Sequence, residues 1–333
     1  RVRDWEKDTA KKQFQEQATP YSQTLEKTLS DYTEALRFLG DHFDHSATVS
    51  RKSFAGIVSS MIPRYPGIQT FGWNPLVTTA ERTACIQDAR LNGYPNFEIT
   101  ERTLGGAVVP AVQRDEYVVV FYLFPPEGNE AAFGYDISSD LVRREAITKA
   151  FSSGRIAATS PITLVQEEED QVGVLMLRPV YETNEAHSSP EERHAARKGL
   201  VVEVLRIGKV VQDALIGFDQ TALTLTLRDL TAPTGQKYLL DLPTGRESTS
   251  PLSSYKEGET DLLHSHRFAF CDREYEVIIS PTREYFQAQP ISPALVYLVG
   301  CMLIVLLLSL YLLGRFQHMA DVEYRMRLEA NGT

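Results

Sequence analysis

Leu25, Leu29, Tyr32, Leu36, Leu39 and Phe43 recur in alternating steps of four and three within an otherwise polar stretch. This spacing is one face of a helix, and residues 4–46 read as a single long one, with a kink predicted at Pro20. The face suits either a coiled-coil partner or the chain's own domain. From residue 68 the pattern changes to short β-rich runs with turn residues between them: "IQTFGWNPLV", "NFEIT", "EYVVVFYLF" and "AAFGYDI". Helical spacing returns in "DLVRREAITKAFSSG", with Leu141, Ala146, Ile147 and Ala150 along one side and Gly154 as its stop. Strands "SPITLV" and "VGVLMLRPVY" follow, joined by "QEEEDQ", which reads as a solvated hairpin tip because it lacks the spacing of a calcium loop. Beyond the polar stretch "ETNEAHSSPEERHAARK" a second set begins: strand "GLVVEVLRI", helix "GKVVQDALIG", then strands "LTLTLRDL", "KYLLDL", "RFAF" and "EYEVIIS". The repeated order predicts an α+β fold of two subdomains, each a small sheet with helices packed to one side.

One further run has no polar face. Ala294 to Leu313 is twenty residues without a charge, enough helix at about 1.5 Å per residue to cross a hydrocarbon core of about 30 Å. Pro290 and Pro293 block a helix from entering upstream, and Tyr297 and Tyr311 stand near the two headgroup levels. Arg315, Arg325 and Arg327 follow the run, whereas Arg283 precedes it. Positive charge therefore predicts a cytoplasmic C-terminus in the inner membrane, with residues 1–290 outside the cytoplasm. A net charge of -10 argues against a nucleic-acid partner. The opening at "RVRDWEKD" without a methionine reads as a piece of a longer protein, with a membrane helix expected just upstream.

Candidate chemistry is sparse. Cys85, Cys271 and Cys301 form no CxxC pair, so no zinc site is expected, and Cys85 and Cys271 fit either one disulfide or two free thiols. His264 and His266 would share a strand face, a metal-capable spacing, but no third ligand lies nearby, and they read as surface histidines. Without a GxSxG, HExxH, Walker A or GxGxxG pattern, no catalytic residue, metal or cofactor is expected. Tyr117, Phe121, Tyr122 and Phe124 give the 116–124 strand enough ring surface to fill a core and line a small-molecule cavity. Which of them faces inward depends on a register that the sequence leaves open.

Four blocks, "YPGIQTFGWNPLVTTAER" (65–82), "RDEYVVVFYLFPPE" (114–127), "GYDISSDLVRREAITKAFSSG" (134–154) and "ATSPITLV" with "GVLMLRPVY" (158–181), resemble the CHASE sensory domain of membrane receptors. That family includes plant cytokinin receptors and many bacterial histidine kinases and diguanylate cyclases, and the resemblance covers residues 1 to roughly 290. It implies a stalk helix and connector at 1–67, a membrane-distal PAS-like ligand-binding subdomain at 68–182 and a membrane-proximal PAS-like subdomain at 183–290. A transmembrane helix at 291–315 and the start of a cytoplasmic linker at 316–333 complete it. In the plant receptors an aspartate before the "TSP" strand binds adenine, and the matching position here is Arg143. A guanidinium has donors only, so the resemblance points to an anion there, unless Arg143 turns outward to pair with Asp140 or Glu145. Thr159 matches a threonine of the plant pocket, a second pocket threonine falls on Leu177, and an apolar pocket residue corresponds to Val165. Together with Tyr122 and Phe124 these form the expected ligand-binding set. The partners implied are a small molecule, anionic or cytokinin-like, the membrane, and a second copy paired along Leu25 to Phe43. The function implied is an extracytoplasmic sensor that signals to a cytoplasmic histidine kinase of a two-component system. The alternatives are a diguanylate cyclase or phosphodiesterase output, or a periplasmic protein-interaction module without a small ligand.

Overall fold

The computed structural model describes residues 2–46, 48–103, 105–163, 172–182, 188–233, 237–242, 262–288 and 293–330. The chain forms two units, Arg1–Thr282 and Arg283–Thr333.

In the first unit, helix α1 (Val2–Asp44) continues through Pro20. Its heptad-spaced residues, from Leu25 to Phe43, are at most 4% exposed within the single chain. The predicted stripe is thus consumed by the chain's own sheets, which corrects the expectation that a second copy pairs along it. A helix lying on a sheet needs the same apolar stripe as a coiled coil, so the spacing alone does not separate the two.

Helix α2 (Arg51–Met61) starts at an N-cap where Ser50 Oγ accepts from the Ser53 amide. Strand β1 (Ile68–Thr78), helix α3 (Arg82–Leu91) and the hairpin β2 (Thr100–Arg102) and β3 (Val108–Pro110) follow. The predicted strand at 116–124 is two short ones, β4 (Glu116–Val118) and β5 (Tyr122–Phe124). Between them the backbone of Val120 turns to pair with Gly134 and Tyr135. The stretch read as strand "AAFGYDI" is instead a turn with short 3-10 segments, because Asp136 Oδ1 caps it by accepting from the amides of Ser138 and Val118.

Helix α4 (Leu141–Ser153) runs from its Asp140 cap to Gly154, whose φ of 70° is the left-handed stop expected there. Strands β6 (Ala157–Ala158), β7 (Ile162–Thr163) and β8 (Val172–Tyr181) come next, and the acidic turn "QEEEDQ" lies outside the described residues. Helix α5 (Pro190–Ala195) begins with a capping box of Ser189 and Glu192. Strand β9 (Arg197–Arg206) had been expected to open the second set. It lies instead at the centre of the first sheet, whose order is β4-β1-β9-β8-β6, with β5 also on β1 and β7 also on β8. Its near-continuous apolar run is buried on both faces, as suits a central strand of a sheet covered on either side.

Helix α6 (Ile207–Ala214) leads to a second antiparallel sheet built from β10 (Leu223–Asp229), β11 (Tyr238–Leu242), β12 (His264–Phe270) and β13 (Arg273–Pro281), in the order β11-β10-β13-β12. His264 and His266 share one face, as their spacing predicts, and that face meets α1. His264 Nε2 lies 3.0 Å from Ser22 Oγ, and His266 Nε2 lies 2.7 Å from Glu26 Oε2. No group of three metal-ligating side chains occurs among the described residues. The three cysteines are free thiols.

The two sheets are tied at the β12–β13 turn. Arg273, 5% exposed, pairs with Asp229 at 2.5 Å and donates to Ser160 Oγ and the Ala158 carbonyl. Asp272 accepts from the Ala158 amide at 2.8 Å. In the second unit, α7 (Arg283–Ala288) precedes α8 (Pro293–Ala330), which continues helically past the predicted membrane run. Tyr297–Ala320 is the one segment among the described residues long and apolar enough to cross a membrane, and its side chains are exposed.

Candidate ligand-binding site

Alternation along β1 sorts its side chains. Phe71 and Trp73 face away from the cavity, where Trp73 stacks on Phe43 of α1 with centroids 4.6 Å apart. Thr70, Gly72 and Asn74 face the other way and line a cavity of about 60 Å³. Val202 and Val204 of β9, Leu175 of β8, Val120, Leu123, Ala132, Tyr135 and Ile137 supply its apolar wall, and Arg143 supplies its charge.

Arg143 is 7% exposed. The burial pattern of α4 explains why: Arg143, Ala146, Ile147, Ala150 and Phe151 are its inward residues, at positions i, i+3, i+4, i+7 and i+8. The arginine occupies the first place of that face, and Leu141, which had been assigned to it, is 76% exposed. Asp140 compensates the guanidinium only in part, at 3.5 Å, because its Oδ1 also caps the helix through the Arg143 amide. The Tyr135 ring lies 5.8 Å from the guanidinium carbon. Arg144 is the outward arginine, donating to the carbonyls of Ser138 and Ser139.

Asn74, 1% exposed, is the second polar element of the wall, and its Oδ1 is buried without a hydrogen-bond partner among the described residues. An unsatisfied buried acceptor is costly and marks a place where a donor fits. The sequence held a signal for it: in "TFGWN" small or polar residues alternate with large rings, which separates a cavity face from a packing face. The cavity therefore offers a cationic donor fork and an amide acceptor in an apolar surround, an arrangement suited to holding a small polar ligand.

Of the other expected site residues, Thr159 is fully buried but ties strands rather than lining the wall. Its amide donates to the Leu175 carbonyl, and its Oγ1 accepts from the Leu175 amide. Leu177 is core, paired with Val202 and Ala157. Tyr122 lies on the opposite side with Phe121, Tyr117 and Val119, where burial raises its phenol pKa and Arg51 opposes that shift. Phe124 is outside the wall, with its carbonyl accepting from Thr70 Oγ1. Val165 lies outside the described residues.

A larger groove of about 630 Å³ lies among α1, the end of α4 and β8. Its Arg178 is already matched by Asp41 and Asp44 at 2.5 and 2.7 Å. Its lining is mostly polar and charged, so it is a weaker candidate than the Arg143 cavity despite its size.

Among similar solved structures, one supports the fold. The periplasmic sensory domain of the Campylobacter jejuni chemoreceptor Tlp1 matches with a TM-score of 0.52 at 11% identity, over 85% of this chain and 99% of that one. An extracellular ligand binding receptor from Desulfohalobium retbaense matches with a TM-score of 0.48 at 10% identity, over 79% of this chain and 40% of its own length. The chain thus spans well under half of that receptor. The ligand binding domain of the Pseudomonas aeruginosa amino acid chemoreceptor PctC, solved with GABA, matches with a TM-score of 0.46 at 12% identity, over 81% and 98% of the two chains. No curated protein matches the sequence. The CHASE domain model matches residues 47–240, more than half of the chain and the whole of the Arg143 cavity. This chain belongs to the CHASE domain family.

Proposed function

We propose that the chain is an extracytoplasmic sensor that holds a small carboxylate in the Arg143 cavity and signals across the membrane through α8. One observation carries the ligand class: a guanidinium buried in an apolar wall, only partly compensated, beside an amide oxygen with no donor. A carboxylate would pair with Arg143, and an amine or hydroxyl on the same ligand would donate to Asn74 Oδ1. A water needs about 10–15 Å³ by the same measure of space, so about 60 Å³ suits a ligand of a few heavy atoms and disfavours an adenine ring.

The output favoured is a histidine kinase of a two-component system, on the habits of the family, with a diguanylate cyclase or phosphodiesterase as the second reading. The test is a thermal-shift screen of the full chain in detergent against small hydroxy, amino and dicarboxylic acids, followed by calorimetry on the hit. Arg143→Met should cost about 1.5–3 kcal/mol of binding, roughly ten- to a hundredfold in affinity. Equal affinity in wild type and variant would remove Arg143 from the site. A screen in which only neutral purines stabilise the chain would restore the cytokinin-like reading.

A further inference from the structure

On the far side of β5, separate from the Arg143 cavity, the guanidinium of Arg51 sits in a box of aromatic rings. Its central carbon lies 4.3 Å from the centroid of Tyr94, 4.7 Å from Tyr122, 5.5 Å from Phe121 and 5.9 Å from Phe133. All three side-chain nitrogens are buried and have no hydrogen-bond partner among the described residues. The rings come from four places in the fold, the turn after α3, the end of the β4–β5 break, β5 and the loop after Ala132, and none of them lines the Arg143 cavity.

Arginine fits this box poorly. Ring faces attract positive charge but do not satisfy its five N–H donors, which stay desolvated without acceptors. Arg51 is also the first residue of α2, where the helix dipole disfavours a cation, and the first turn carries no acidic residue to offset it. A cation without N–H donors would gain the same ring contacts at no such cost, and Arg51 released to water would recover its hydration.

We propose that Tyr94, Phe121, Tyr122 and Phe133 form a second ligand site, a cage for a quaternary ammonium group, which Arg51 fills from within when no ligand is bound. Arg51 is then an internal competitor, and its departure from α2's first turn is the change that ligand binding makes. Tyr94, Tyr122 and Phe133 are half-buried rather than sealed, so the cage has a solvent side.

The probe is tetramethylammonium chloride titrated into the full chain in detergent, with sodium chloride at matched ionic strength as reference and methylammonium as the donor-bearing control. Arg51→Ala should bind tetramethylammonium about tenfold more tightly than wild type, the gain expected if the open cage is populated about a tenth of the time. Tyr94→Ala in that background should abolish the gain, and methylammonium should bind more weakly than tetramethylammonium in both chains. Equal affinity of wild type and Arg51→Ala, or a gain that survives loss of Tyr94, would overturn the proposal. A readout on the wild-type chain guards against a folding defect in the variants: phenylglyoxal should label Arg51 slowly in the free chain and several-fold faster with tetramethylammonium present. Unchanged labelling at saturating probe would also overturn it. Arg143→Met should leave these responses intact, which keeps this cage distinct from the acid site.

Discussion

Glu203 carries an acid into the middle of the first sheet. It is fully buried on β9, between Phe71 of β1 and Met176 of β8, and neither carboxylate oxygen has a hydrogen-bond partner among the described residues. Burial pushes its pKa well above the ordinary glutamate value. The folded chain therefore keeps a proton that the unfolded chain has lost, and Glu203 contributes most favourably below the ordinary carboxylate range, with the contribution lost progressively as pH rises from that range towards its raised folded pKa. Glu203→Met, close in volume and without the acid, should stabilise the fold by about 1–3 kcal/mol at neutral pH. Scanning calorimetry of both chains should show the gap widening from pH 5 to pH 8, and a gap that narrows would refute the buried-acid account. At this scale the period of α4 gave most of its inner face, Ala146, Ile147 and Ala150, but placed Leu141 there in error. Arg143 stands in register with Ala146, Ile147, Ala150 and Phe151, a signal the sequence carried although its charge left an outward direction equally open. Thr159 was read as a ligand contact because a hydroxyl on a pocket strand looks the same in sequence whether it meets a ligand or the next strand's amide.

Among the elements, α1 is fastened to both sheets. Tyr32 Oη accepts from the Gly67 amide at 2.9 Å, Arg178 of β8 crosses the helix to Asp41 and Asp44, and Ser22 and Glu26 meet the β12 histidines. Arg178 can cross because residue 40 is glycine. A Cβ there would stand 2.1 Å from Arg178 Cδ. Gly40→Ala should therefore destabilise by about 1–3 kcal/mol through overpacking, with faster amide exchange along the C-terminal half of α1. In an Arg178→Ala background the same change should stabilise by about 0.5–1 kcal/mol, the usual cost of glycine inside a helix. The sign reversal in a double-mutant cycle is the test, and matching effects in both backgrounds would rule out the crossing contact. Most elements were legible because period and turn chemistry are local. The place of β9 was not, since neighbours in a sheet are chosen by long-range burial. The break at 119–121 was hidden too, because a β-rich run does not disclose that Gly134 and Tyr135 take its hydrogen bonds.

For the whole molecule, the proposed function requires that a ligand in the Arg143 cavity alters something across the membrane. The first unit contains a contiguous route: Leu175 lines the cavity, Thr159 holds the Leu175 backbone, and the flanking Ala158 and Ser160 are held by Arg273, whose charge is matched by Asp229. Contiguity makes this route a candidate for coupling, and coupling itself is measured by perturbation. It carries a signal across the bilayer only if the first unit and the C-terminus lie on opposite sides. Tyr297–Ala320 is apolar enough to span, and the proposed orientation rests on charge, with Arg315, Arg325 and Arg327 after the apolar run against Arg283 before it. Alkaline phosphatase, which needs disulfides formed outside the cytoplasm, should be active when fused after Ala288 and inactive when fused after Ala330. A cytoplasmic reporter such as β-galactosidase should show the reverse. Activity of the phosphatase at both junctions would mean that α8 does not cross, and the sensor would then have to act on a partner on its own side of the membrane. The reversed pattern would place the Arg143 cavity in the cytoplasm and make its ligand an intracellular acid.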